Sequence, residues 1–121
     1  MDLANINVPE AFNQQADLGR ETIIQLKKDF LRNGLEVQLD ETTNPGFEQI
    51  CTEVADLVDW LLTNDRSRFM NLLYRIDIAE HHIHQALDEQ GEQNVPEKLA
   101  VMIVRREAQK VLIRRYFSGE Q

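Results

Sequence analysis

Between Asn44 and Thr63 the apolar residues Phe47, Ile50, Cys51, Val54, Leu57, Val58, Leu61 and Leu62 recur at i, i+3, i+4, i+7, i+10, i+11, i+14 and i+15, one unbroken stripe along a helix. A greasy stripe of that length has to be covered, so the rest of the chain must supply elements that pack on it. Asn44 reads as the N-cap of this helix. Pro45 reads as a residue of its first turn, where a missing N–H costs nothing.

The remaining segments repeat the pattern. A first helix is expected from about Glu10 to Arg32, opened near Pro9, with a break or kink near Gly19 and a C-cap at Asn33-Gly34. Leu35, Val37 and Leu39 alternate with Glu36, Gln38 and Asp40, but a lone strand has no partner, so residues 35–39 read as an extended connector laid on the helices. Asn64 or Asp65 can cap a third helix carrying Phe69, Leu72, Leu73 and Ile76. Asp77 with Glu80 has capping-box spacing and opens a short fourth helix that Gly91 closes. Pro96 opens a last helix to about Phe117, whose run Leu99 to Val104 is apolar all the way round and therefore belongs inside a bundle. The expected architecture is all-α: one compact domain over residues 1–121, a bundle of four to five helices, with 1–9 and 118–121 loose.

Charge sets further bounds. The net charge of −8 argues against a nucleic-acid binder, whose footprint is basic. No basic start precedes an apolar run, and no stretch approaches the roughly 18 apolar residues of a bilayer span, so the expectation is a cytoplasmic protein with no membrane contact. From Asn33 to Asp65 there are eight acids and no Lys or Arg, whereas Arg105, Arg106, Lys110, Arg114 and Arg115 stand against the single acid Glu107. The basic arc, with Tyr116 and Phe117, reads as an interaction surface that meets the acid-rich helix within one chain or across a homodimer. Cys51 is the only cysteine; lying on the apolar stripe, it reads as a small buried hydrophobe rather than a reactive thiol.

All three histidines fall together as His81, His82 and His84. On one continuous helix, Asp77 lies one turn before His81 and Asp88 one turn after His84, giving two imidazoles and two carboxylates that could hold zinc or iron. The Glu-x-x-His pairing of bundle di-metal centres is absent, and the competing explanation is a solvated polar face. Tyr74, Arg75 and Asp77, with Arg106 and Glu107, sit among apolar neighbours and would have to be internally paired if buried. Ser67 and Ser118 lack any nucleophile-elbow context and no glycine-rich phosphate loop occurs, so no catalytic residue is assigned.

The stretch Leu72-Leu73-Tyr74-Arg75-Ile76-Asp77 and the later Arg106-Glu107-x-x-Lys110 resemble a group of short all-helical bacterial proteins of unknown function. The resemblance spans about the last half of the chain and implies a helical fold, with no activity, cofactor or site residue attached. Two functions are expected from these residues. The first is a protein interaction or adaptor domain that works as a homodimer without a cofactor. The alternative is a metal-binding or small-ligand-binding helical protein using His81, His82 and His84.

Overall fold

A computed structural model describes residues 6–88 and 94–119 except the Asp88 side chain, and among these described residues there are six helices. They are α1 (Val8–Gln14), α2 (Leu18–Arg32), α3 (Phe47–Asn64), α4 (Arg66–Arg75), α5 (Glu80–Asp88) and α6 (Val95–Ser118). Among the described residues there is no strand. The all-α bundle is as expected, with one helix more because the first rod is split. The expected loose arm also ends earlier than residue 9: Asn7 accepts a hydrogen bond from the Glu10 backbone N–H, and Val8 is buried.

Helix α6 is the axis of the bundle. It packs mainly on α3 and on α2, while α5 and α1 lie against it and α4 lies on α3. Its Leu99, Ala100, Ile103 and Val104 join Ile50, Val54 and Val58 of α3 and Ile23, Leu26 and Phe30 of α2 in one core. Each of these side chains other than that of Ala100 contributes about 1.5–3 kcal/mol when withdrawn from water. A smaller cluster of Ala11, Leu18, Val111 and Leu112 seals the α1 end. Leu35 and Val37 of the connector are buried and Leu39 packs against the core, as the alternation requires.

Two helix ends are built alike. After α2 the Leu35 N–H donates to Phe30 O and the Gly34 N–H to Leu31 O, and after α4 the Ile78 N–H donates to Leu73 O and the Asp77 N–H to Tyr74 O. Both are Schellman caps, and both need a left-handed residue, supplied by Gly34 at φ 79° and by Asp77 at φ 75°. The expected break at Asp77 is therefore real, but Asp77 does not cap α5. It ends α4, and Ala79 O receives the first α5 bonds, from His82 and Ile83. The expected closure at Gly91 lies outside the described residues.

Asn44 is also reassigned. The N-cap of α3 is Gly46, and Asn44 Oδ1 instead accepts from the Arg20 N–H at 3.0 Å, satisfying an orphan donor in the first turn of α2. The carbonyl of Pro45 comes so close to Gly19 that a Cβ there would stand 2.0 Å from Pro45 O. Gly19 is thus the bed for the 44–45 crossing, and the break falls earlier, at residues 15–17, where Asp17 is left-handed at φ 59°.

Gly19→Ala should destabilise the fold by about 3 kcal/mol, because backbone and not a side-chain tip has to move. Asp77→Gly should stabilise it by about 0.5–1 kcal/mol by removing the left-handed penalty. Urea unfolding of the two variants beside the parent measures both.

Candidate functional site

The densest polar chemistry lies in the seam between α2 and α6. Lys110 pairs with Asp29, and Arg115 with Glu21; because one set of numbers rises as the other falls, the two helices run antiparallel. Gln25, Asp29, Glu107, Lys110 and Arg114 fall on the facing sides. Asp29, 7% exposed, receives Lys110 Nζ at 2.7 Å and Gln25 Nε2 at 3.2 Å. Arg114 Nη1 donates to Gln25 Oε1 at 3.0 Å, completing the chain.

Glu107 is fully enclosed, at 0% exposure. Neither of its oxygens receives an N–H or hydroxyl donor, and the nearest cation, Lys110 Nζ, is 3.6 Å away. A carboxylate in that position would be an orphaned charge. Burial, reinforced by the neighbouring Asp29, pushes the Glu107 pKa up from 4.5 to about 9, which favours its neutral acid at neutral pH. Burial alone would also raise Asp29, but the bonds from Glu107, Lys110 and Gln25 outweigh it and hold its carboxyl below the usual 3.8. Two adjacent carboxyls divide into one acid and one anion. With no surface open to solvent, Glu107 cannot touch a substrate; the trio fastens α6 to α2.

Arg115 does a similar task one turn on. Almost buried, it pairs with Glu21 and donates to Gln15 Oε1 at 3.1 Å and to Ala16 O at 2.9 Å. That last bond satisfies the carbonyl freed by the α1–α2 break. Arg106 Nε donates to Ile76 O at 3.1 Å, and its Nη2 lies 3.5 Å from Asp77.

The basic arc expected as an interaction surface is therefore largely turned inward. Arg106, Lys110, Arg114 and Arg115 all bond within the chain, and their partners are on α2 and the α4–α5 turn rather than on the acid-rich α3. Arg105, Tyr116 and Phe117 remain exposed, as does Arg114 despite its bond to Gln25. Of the expected polar cluster, Glu107 alone is buried; Tyr74, Arg75 and Asp77 face solvent.

Among the described residues the histidines do not come together with Asp77 as a metal set. His81, His82 and His84 are exposed, the His81 and His82 rings lie 4.0 Å apart, and His84 Nε2 is 3.4 Å from Glu80 Oε1. Asp77 precedes α5 in a left-handed turn and pairs with Arg106, so its one-turn relation to His81 is broken. The Asp88 side chain lies outside the described residues. Among the described residues no group of three or more His, Cys, Asp or Glu could hold a metal ion. Cys51 is half-buried against the core, and burial pushes its thiol up to about 11, the signature of an inert packing residue.

Asp29, Gln25 and Glu21 were not legible as partners of the arc. The available signal was their spacing on α2, at i, i+4 and i+8, which puts all three on one face.

The two carboxyls give opposite pH dependences. Glu107, raised in the folded state, contributes stability that is fully present below its unfolded pKa of 4.5 and lost as pH rises toward about 9. Asp29, lowered, contributes stability present above 3.8 and lost only as pH falls below that. Stability measured by urea unfolding should therefore decline between about pH 5 and pH 9. In Glu107→Gln, whose amide can still donate to Asp29, the decline should vanish, with a gain on the order of 2 kcal/mol at the alkaline end.

In comparisons with protein-family models, curated proteins and solved structures, the chain matches none.

Proposed function

We propose that the protein is a small cytoplasmic interaction domain that pairs with a second copy of itself, the aromatic end of α6 in one copy meeting the acidic face of α3 in the other. The observation that carries this reading is Phe117, 75% exposed at the end of a helix otherwise spent on the core. Its ring meets that of Tyr116 edge to face at 5.2 Å, and the neighbouring Arg115 is locked into the fold. Two aromatics on a fixed helix end form a rigid anchor of low entropic cost.

Charge supports the choice of a second copy. The outer side of α3 exposes Glu48, Glu53, Asp56 and Asp59, none of them ion-paired among the described residues, together with Trp60 at 58% exposure. Near the aromatic end, Arg114 is exposed, and Arg105 is exposed further along the same helix. Two such contacts related by a twofold axis close into a dimer without leaving an open end. Among the described residues no helix is long and apolar enough to cross a membrane, and the free Cys51 suits a reducing compartment.

Light scattering on the eluted protein at about 50 μM should give twice the monomer mass, falling to the monomer in about 0.5 M NaCl as the charged contacts are screened. Phe117→Ala and Trp60→Ala, both at exposed sites, should give monomers with unchanged helical signal. Trp60 is the only tryptophan, so its emission should shift to the red on dilution. A monomer at that concentration in low salt ends the proposal.

A further inference from the structure

Where the C-terminus of α2 meets α4, a concave space of about 250 Å3 is lined by Arg32, Asn33, Arg68, Asn71 and Arg75. No acid lines it, in a chain whose net charge is −8. Arg68, Asn71 and Arg75 stand at i, i+3 and i+7 on α4, one polar stripe bordering the buried face of Phe69, Leu72 and Leu73. The Schellman turn after α2 brings Arg32 and Asn33 up to that stripe.

The guanidinium of Arg68 is already positioned. Its Nη1 donates to Gly34 O at 3.0 Å and its Nε lies 3.4 Å from Asp65. A Cβ on Gly34 would come within 3.3 Å of Nη1, so the glycine that ends α2 also makes room for the arginine. Arg32 is only loosely paired, with Nη1 3.8 Å from Asp29, whose carboxylate is already taken by Lys110 and Gln25. Arg75 makes no ion pair or hydrogen bond among the described residues. Asn33 is fixed by its own bond to Asp29 O at 2.8 Å.

We propose that this pocket binds the phosphate group of a small molecule. Three guanidiniums offer forked N–H pairs that match a tetrahedral oxyanion and can be bidentate to it. Like charges held this close repel one another, and a dianion between them relieves the repulsion. The space admits a phosphate and a small substituent. A long polyanion is disfavoured, because the acids over the rest of the surface would repel it. The proposal is independent of self-association and uses a different face of the molecule from α3 and the α6 end.

Calorimetric titration of the full chain with inorganic phosphate and with ribose 5-phosphate, at constant ionic strength set by sodium chloride, tests it. Both should bind below about 1 mM, and Arg75→Gln and Arg68→Gln should each weaken binding at least about tenfold. Arg75→Gln should leave the thermal midpoint of the free protein unchanged, since that side chain has no partner to lose; if Arg68→Gln melts early through loss of the Gly34 bond, Arg75→Gln carries the test. Arg75→Lys should restore part of the affinity. In proton–nitrogen spectra the side-chain amides of Asn33 and Asn71 should shift on titration. The proposal is overturned by absence of heat and of shifts at about 10 mM phosphate, by equal affinity in the parent and both glutamine variants, or by a single-stranded oligonucleotide binding more tightly than ribose 5-phosphate.

Discussion

Helix α6 has α3 on one side and α2 on the other, and the second contact places the carboxyl of Glu107 where no water reaches it. An ionised glutamate there would cost several kcal/mol, comparable with the whole net stability of a domain this size. Burial favours a proton on Glu107, while Asp29 is held as the anion by Lys110 and Gln25. The arrangement also fixes register. The observed alignment is the one in which Lys110 meets Asp29 and Arg114 meets Gln25, so the polar seam favours one antiparallel register in an otherwise greasy contact.

The other rods are aimed by backbone devices. Schellman caps at Gly34 and Asp77 end α2 and α4, and in each the residue after the left-handed one, Leu35 or Ile78, turns back into the core. The 44–45 crossing is seated on Gly19 and caps α2 through Asn44, so the start of α2 and the approach to α3 are held by one contact. The α1–α2 corner has no local device of that kind. Its free carbonyl, Ala16 O, is met by Arg115 from the far end of the chain.

That distinction explains what the amino-acid order reveals. The α3 stripe, the connector alternating from Leu35 to Leu39, the stop at Gly34 and the all-round apolar start of α6 are legible because periodicity and caps are local. A break in the first rod is legible from the irregular apolar pattern near Gly19, but its place at residues 15–17 is not, because a bond from Arg115 across 99 positions stabilises it there. Asn44 beside Pro45 makes a sound local N-cap for α3, yet the same carboxamide serves α2 once the chain has folded back. The acid-rich stretch and the basic arc look like partners when only charge is counted. Tertiary packing pairs the arc instead with Glu21 and Asp29 on α2, whose shared helical face is the weaker signal. Asp77 joins the histidine cluster as a ligand only if it continues the helix, and its left-handed backbone breaks that continuity.

Turning the cations inward has a consequence for the outside. Lys110 and Arg115 neutralise acids in the α2–α6 seam, and the unpaired acids of α3 are left facing water. With a net charge of −8, the protein repels polyanions over much of its surface. Against that background the two places that break the pattern stand apart physically. At the end of α6 an aromatic pair is exposed on a helix whose preceding turn is locked by Arg115, so burying the rings costs little entropy. At the α2–α4 corner the cations are held outward around a concavity by the turn that ends α2, where the glycine needed for the backbone also admits the Arg68 side chain. The same Schellman turn that closes the fold thus sets Arg32 and Asn33 beside Arg68 at this corner.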